Sequence, residues 1–306
     1  MFPFILLNLQ FFRTFSMIKI GDRIMFFIVI KPLSYLPINV LFFFSNIIYF
    51  LTYWIVKYRR QVVRGNLINA FPDKSITEIK RIERKFYQHF TDFIFESIKS
   101  ISITESEVMK RTKIKNPELL DNLYTSGKNV LVLCGHYNNW EFYALSLPKK
   151  IKHSSYSLYQ PLKNKFFDRI LLNSRMRNGM RLIETKKVFS FFQEVETNPK
   201  LMVIVNDQSP TNHKKAYWNT FLNQETGWNI GPEKLAKKYG YVVLFGHSKK
   251  LKRGCYEVEF NTITETPAQT NNDYITDKYS ALLEEIIKEK PEFWLWSHKR
   301  WKHKNT

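Results

Sequence analysis

The apolar residues of this chain fall into three rhythms, and the first is a continuous one. From Pro32 to Val56 no side chain is charged, and Phe, Leu, Ile and Tyr dominate. About 20 such residues suffice to cross a bilayer core as a helix. Asn39, Asn46, Ser34, Ser45 and two prolines make the stretch a mediocre span. An interfacial helix, or the first helices of a lipid-facing platform, fits it as well. The cations Lys57, Arg59, Arg60 and Arg64 follow directly, which by the positive-inside rule places the rest of the chain in the cytoplasm. Arg13, Lys19, Arg23 and Lys31 weaken that orientation because they are positive too. Residues 1–16 are apolar with one charge, and no small-residue cleavage site follows them. Met17 is an alternative start.

The second rhythm is helical. Residues Tyr58–Ser102 read as helix, with Ile79, Ile82, Phe86, Phe90, Phe93 and Ile94 recurring at three- and four-residue steps. Ser75 and Glu78 form a capping box. The apolar stripe is read as packing on the main domain rather than on acyl chains.

The third rhythm is an alternation of strands and helices from Lys113 onward. Strands are expected at Val130–Cys134, Ser154–Tyr159, Arg181–Ile183, Leu201–Val205, Tyr241–His247 and Cys255–Phe260. Helices are expected at Asn139–Leu147 (stopped by Pro148), Asn164–Asn178, Val188–Glu196, Gly231–Tyr239 and Asp277–Lys290. Thr262–Asp273 is expected to be a loop. This order predicts a three-layer α/β fold with a mostly parallel central sheet. The organisation is a membrane-associating segment over residues 1–57 and an α/β domain over 58–306. Functional residues then belong at the carboxyl ends of strands, where His136 and Asp207 both fall.

Composition adds two constraints. The chain has 306 residues, 44% of them hydrophobic, and a formal net charge of +20. That is ample for one sizeable core and implies acidic partners: nucleic acid, anionic headgroups or an acidic carrier protein. Two cysteines, Cys134 and Cys255, lie in apolar runs and are read as reduced core residues.

The densest chemistry is Gly135-His136-Tyr-Asn-Asn-Trp-Glu141 at the end of an apolar strand. On one continuous helix, positions five apart point about 140° away from each other. His136 and Glu141 therefore meet only if His136 lies in the turn before the helix and Glu141 in its first turns. Gly135 is expected to permit the turn and Asn138 or Asn139 to cap the helix. A carboxylate so placed would orient the imidazole and stabilise its charged form, and the alternative is a core histidine beside a solvent-facing glutamate. Asn206-Asp207-Gln208 ends another strand, as a strand cap or a site wall. Lys163 and Arg169 sit where one helix face would bind phosphate, against the plainer reading of a solvated basic face. The tail Phe293-Trp-Leu-Trp-Ser-His-Lys-Arg-Trp-Lys suits a membrane interface or ordinary packing equally. There is no zinc spacing, Walker loop, dinucleotide fingerprint or Gly-x-Ser-x-Gly, and the aromatics sit in apolar runs rather than on a basic groove. No metal or cofactor and no nucleic acid are expected.

These blocks together resemble the bacterial late acyltransferases of lipid A biosynthesis, within the lysophospholipid acyltransferase group. The resemblance runs over roughly Pro32 to Lys302. It rests on Arg64-Gly-Asn-Leu with Phe71-Pro72, the His136-x4-Glu141 box, Lys163-Asn164 with Asp168-Arg169, Asp207-Gln208, Thr220-Phe221-Leu with Gly231-Pro232, and the Trp-x-Trp-x-His298-x-Arg300 tail. Two departures are Phe221-Leu222-Asn223 where the family often has Phe-Phe-Gly, and Asp207-Gln208-Ser209 where it often has Asp-Gln-Asp. The resemblance implies a membrane enzyme of the cytoplasmic face of the inner membrane. Such an enzyme moves an acyl group from acyl carrier protein to a hydroxyl of an anionic lipid A precursor. His136 would be the base and Glu141 its partner. Backbone N–H groups after Gly135 would hold the oxyanion, and Asn139, Lys163, Arg169, Asp207 and Gln208 would contact substrate. The competing readings are the same chemistry on a lysophospholipid or aminolipid, and a basic membrane-binding protein without catalysis.

Overall fold

The strands that read as unbroken apolar runs are those covered on both faces, as expected of a parallel sheet between helical layers. The computed structural model describes residues 19–303; the readings of residues 1–16 and Met17 lie outside the described residues. In chain order the elements are α1 (Lys19–Met25), α2 (Lys31–Tyr35), α3 (Ile38–Phe50), α4 (Arg60–Ala70), α5 (Ile76–Lys99), α6 (Glu105–Arg111), β1 (Thr112–Ile114), α7 (Pro117–Thr125), β2 (Val130–Cys134), α8 (Trp140–Lys150), β3 (Ser154–Tyr159), α9 (Lys165–Met176), β4 (Arg181–Glu184), α10 (Val188–Gln193), β5 (Lys200–Val205), β6 (Tyr217–Phe221), β7 (Gln224–Trp228), α11 (Gly231–Tyr239), β8 (Val242–Lys252), β9 (Cys255–Thr264) and α12 (Tyr274–Glu289).

Seven strands form one sheet in the order β1-β9-β8-β2-β5-β3-β4. All neighbours are parallel except the β8–β9 hairpin. Leu131, Leu133, Met202, Ile204, Val243 and Phe245 face one helical layer. Val130, Val132, Leu201, Val242 and Leu244 face the other, against Leu120, Leu123 and Leu147. The three-layer, mostly parallel α/β architecture read from the sequence is the observed one.

Local differences have local causes. The helical stretch from Tyr58 is two helices, because Pro72 has no N–H to donate and disfavours helical backbone at Phe71. The Ser75–Glu78 capping box is present in full. Pro148 does not stop α8, which runs to Lys150. A proline so near the end forfeits only one intrahelical bond, and Asn178 Nδ2 donates to Leu145 O in the same turn at 3.0 Å. The β6–β7 hairpin was not read from the sequence. Its tip, Leu222-Asn223, takes positive φ at both positions, the turn that a two-residue hairpin requires. Leu222 N donates to Glu284 and Asn223 Nδ2 to Ala70 O, which hold the leucine in that unusual conformation.

The N-terminal helices are amphipathic in an inverted sense. Ile38, Leu41, Phe42 and Ser45 of α3 are buried, and Ser45 Oγ donates to Asp92 on α5 at 2.7 Å. The opposite side exposes Phe43, Ile47, Phe50, Trp54 and Ile55, and Phe27 and Ile28 before α2 are exposed as well. Ile38–Ile55 is long and apolar enough to cross a membrane. Phe26 packs against Leu162, Phe167 and Leu171, so this layer also touches α9.

Candidate functional site

Strands β2 and β5 pair in parallel with Cys134 opposite Val205. Asn206 N donates to Cys134 O at 3.1 Å and carries the pairing one step further. His136 and Asp207 therefore leave the sheet side by side. Gly135 is required there for space rather than for an unusual φ. A Cβ on it would lie 2.7 Å from Leu283 Cδ1 and 3.3 Å from Asp207 Oδ2. The turn itself is taken by Asn138, at φ 55°. Asn139 caps α8 by accepting from Phe142 N at 2.9 Å.

The expected pairing of His136 with Glu141 is not what the fold builds. Asp207 Oδ1 is closed on His136 Nδ1, while Oδ2 accepts from His136 N at 2.7 Å and from Trp294 Nε1 at 2.8 Å. Both side chains are about 2% exposed. Burial opposes the Asp207 charge. The His136 charge and the hydrogen bonds from His136 and Trp294 outweigh it and hold the carboxyl below the usual range. An ionised Asp207 requires Nδ1 to be the donor, and in the neutral ring Nε2 then carries the lone pair. Gln208 Nε2 donates to that nitrogen at 3.2 Å. Trp140 stands edge-on to the ring at 5.1 Å.

Glu141 is occupied elsewhere. Arg175 of α9 grips it with two bonds, Nε to Oε2 at 2.8 Å and Nη2 to Oε1 at 2.6 Å. This correction follows from direction: in the first turn of α8 the Glu141 side chain points toward α9, not back at the strand end. The sequence pattern places Arg175 on a basic helix face with Lys165, Arg169 and Arg177, whereas the fold turns it inward onto Glu141. A signal for it existed, since it lies seven positions after Asp168, on the buried side with Phe167 and Leu171.

Beside His136 opens a mostly apolar cavity of about 290 Å³. It runs from His136, Gln208 and Arg175 along the sheet face at Val132 and Val203 toward Leu147 and Met180. Of the residues expected to contact substrate, Gln208 lines it, while Asn139, Lys163, Arg169 and Asp207 do not; Asp207 is turned to His136 and Trp294. Asn139 is fully buried and spent on the cap and on Glu96. Lys163 and Arg169 are exposed. Their neighbours do the structural work: Asn164 caps α9 and donates to Asp22 at 2.6 Å, and Asp168 accepts from Leu162 N at 2.7 Å. The hairpin residues Leu222 and Asn223 do not line the cavity either.

The tryptophan tail is packing, not a membrane belt. Trp294 and Trp296 are buried. The tail clamps the histidine turn: Leu295 N donates to His136 O at 3.2 Å and Asn138 N to Phe293 O at 3.0 Å. His298 Nε2 accepts from Ser209 N at 3.2 Å. Burial first, then the neighbouring His136, push the His298 imidazole down to about 3, so it is neutral. Arg300 lies over the Trp228 ring at 4.6 Å and donates to Gly227 O. Of the cations after α3, Arg60 and Arg64 are both spent on Glu83, each at 2.7 Å.

Chemically the site is a buried carboxylate–imidazole pair with its second nitrogen aimed at an apolar slot. A family model described as bacterial lipid A biosynthesis acyltransferase matches residues 9–303. No curated protein matches the chain.

Proposed function

The chain belongs to the bacterial lipid A biosynthesis acyltransferase family, and on that premise we propose that it moves a fatty acyl group from acyl carrier protein to a hydroxyl of a lipid A precursor. The observation that carries this reading is the His136–Asp207 pair at the mouth of an apolar cavity.

The steps balance with this chain's residues alone. His136 Nε2 removes the proton from the acceptor hydroxyl, and that oxygen bonds to the thioester carbonyl carbon. The tetrahedral intermediate expels the carrier thiolate as the C–S bond breaks, and the imidazolium returns its proton to sulfur. Asp207 keeps the imidazole in the productive tautomer and stabilises its charged form, a combination worth about 10²–10⁴ in rate. The backbone groups first expected at the oxyanion are engaged already: His136 N, Asn138 N and Phe142 N donate to Asp207, Phe293 and Asn139. The Gln208 amide lines the cavity beside Nε2 and has two N–H groups; one meets Nε2, and the second supplies the oxyanion donor instead. The acyl chain lies in the slot along Val132, Val203 and Leu147, where its burial replaces contact with water.

We place the exposed apolar side of residues 27–55 in the cytoplasmic leaflet of the inner membrane. Anionic partners approach over the loops that frame His136. His213 stacks on His303 at 4.7 Å, bringing Lys214, Lys215, Lys299 and Lys302 to one rim. No Asp or Glu occurs from Gln208 to Gln224 or after Glu292. Such a rim steers acidic carrier and phosphorylated lipid alike.

The test is acyl transfer by purified protein with acyl carrier protein as donor. His136→Ala should retain less than about a tenth of wild-type activity, at the low end of the general-base contribution. Retention above that excludes His136 as base. Mass spectrometry of lipid A with and without the gene product should differ by one acyl chain; an unchanged lipid A with an altered phospholipid would move the acceptor to the second class.

A further inference from the structure

Glu96, near the end of α5, takes no part in the chemistry described above and is completely buried. Its Oε2 accepts from Asn139 Nδ2 at 2.7 Å and from Tyr256 OH at 2.7 Å. Its Oε1 has no partner among the described residues. An unpaired carboxylate oxygen with no solvent access is costly unless something is gained by keeping it. What is held is the histidine turn. Asn139 is fully buried, follows the left-handed Asn138, and caps α8 with its other side-chain atom. The same stretch of α5 supplies Phe93, whose ring lies 4.2 Å from Trp140, the residue that stands edge-on to His136.

We propose that Glu96 is a positioning residue for the acyl transfer: through Asn139 it fixes the start of α8 and the turn that presents His136. The inference rests on His136 being the base.

The charges around Glu96 define how it does so. Asp92 lies on its own helix, Lys250 on β8 and Tyr256 on β9, with His89 and Arg253 bonded to Lys250 and Asp92 respectively. Burial, only partly offset by Lys250 and by the Tyr256 and Asn139 bonds, raises the Glu96 carboxyl to about 7. The proton it takes resides on the partnerless Oε1, which leaves Oε2 free to accept both bonds in either form. A glutamine in the same place presents its amide nitrogen at Oε1 and its carbonyl at Oε2, and is therefore a faithful replacement.

The experiment compares Glu96→Gln, Glu96→Leu, Asn139→Asp and the Glu96→Gln/Asn139→Asp pair, each assayed well below its unfolding midpoint with purified protein, acyl carrier thioester and lipid acceptor. Glu96→Gln should keep kcat within about threefold of wild type. Glu96→Leu, which orphans two buried donors, should lower kcat at least about tenfold with both KM values within about twofold. Aspartate remains a good cap, so Asn139→Asp breaks only the tether, by setting two buried carboxyls against each other. Its kcat should fall as pH rises, because the pair then loses the proton it shares. Adding Glu96→Gln restores a donor–acceptor bond and should remove that fall. If Glu96→Leu leaves kcat unchanged, or if the paired variant is no better than Asn139→Asp, Glu96 is merely structural. If wild type transfers no acyl group at all, the function reading fails, and this outcome is distinct from the other two.

Discussion

Asp207 and Glu141 are both carboxylates, both about 2% exposed and both beside the His136 turn, yet the first closes on an imidazole and the second on a guanidinium. Glu141 is five residues from His136, and Asp207 is seventy-one. Sequence distance misleads because the intervening turn reverses direction, whereas two parallel strands in register deliver their ends to the same place whatever lies between them. The two pairs also differ in purpose. Arg175–Glu141 is a bidentate clamp between α8 and α9, and its worth is geometric. His136–Asp207 leaves one nitrogen aimed at a cavity.

That contrast can be broken experimentally. The largest effect is expected for Asp207→Asn. The amide donates to Nδ1, moves the proton to Nε2 and removes the lone pair the mechanism needs. The kcat should fall about 10³-fold with the fold intact, as read by circular dichroism and steady-state kinetics. A loss below tenfold, alongside a far larger one in Glu141→Gln, would return the orienting role to Glu141.

Glu141→Gln should show its main effect in stability. Breaking one side of a buried pair leaves Arg175 charged without its carboxylate, at a cost of about 3 kcal/mol in urea unfolding. Adding Arg175→Met should recover much of that, since an apolar replacement of the whole pair removes the desolvation penalty. If the second change deepens the loss, the pair is not a self-contained clamp.

The smallest effect is expected for Trp294→Phe. It keeps the ring packing and removes one of the three hydrogen bonds that hold Asp207 charged. A bond to a charged group is worth about 1.5 kcal/mol or somewhat more, so kcat should drop about tenfold and the Asp207 carboxyl should rise toward the ordinary range. An unchanged kcat would mean that the His136 contacts alone hold the pair in place.

The departures at Leu222-Asn223 carry less meaning than their place in a family motif suggests. They form a hairpin tip tied to Glu284 and Ala70, and asparagine tolerates the left-handed backbone that glycine otherwise supplies. They bear on the stability of that turn. The Lys163–Arg169 block likewise divides into two structural residues, the partly buried Asn164 and the buried Asp168, and two exposed cations.

Much of the architecture was determined by the chain alone. Unbroken apolar runs such as Val130–Cys134 can be stable only between two helical layers, and the period of Ile79 to Phe93 can bury only one side of a helix. The position of His136 at a strand end followed from the same pattern. Partner choice did not. Whether a buried carboxylate meets an imidazole or a guanidinium depends on strand order and register, and on the direction in which a side chain leaves the first turn of a helix. Neither is encoded in spacing along the chain. The pairing of His136 with Asp207, of Glu141 with Arg175, and of Asn139 with Glu96 was therefore decided only when β2 came to lie beside β5 and α8 between α5 and α9.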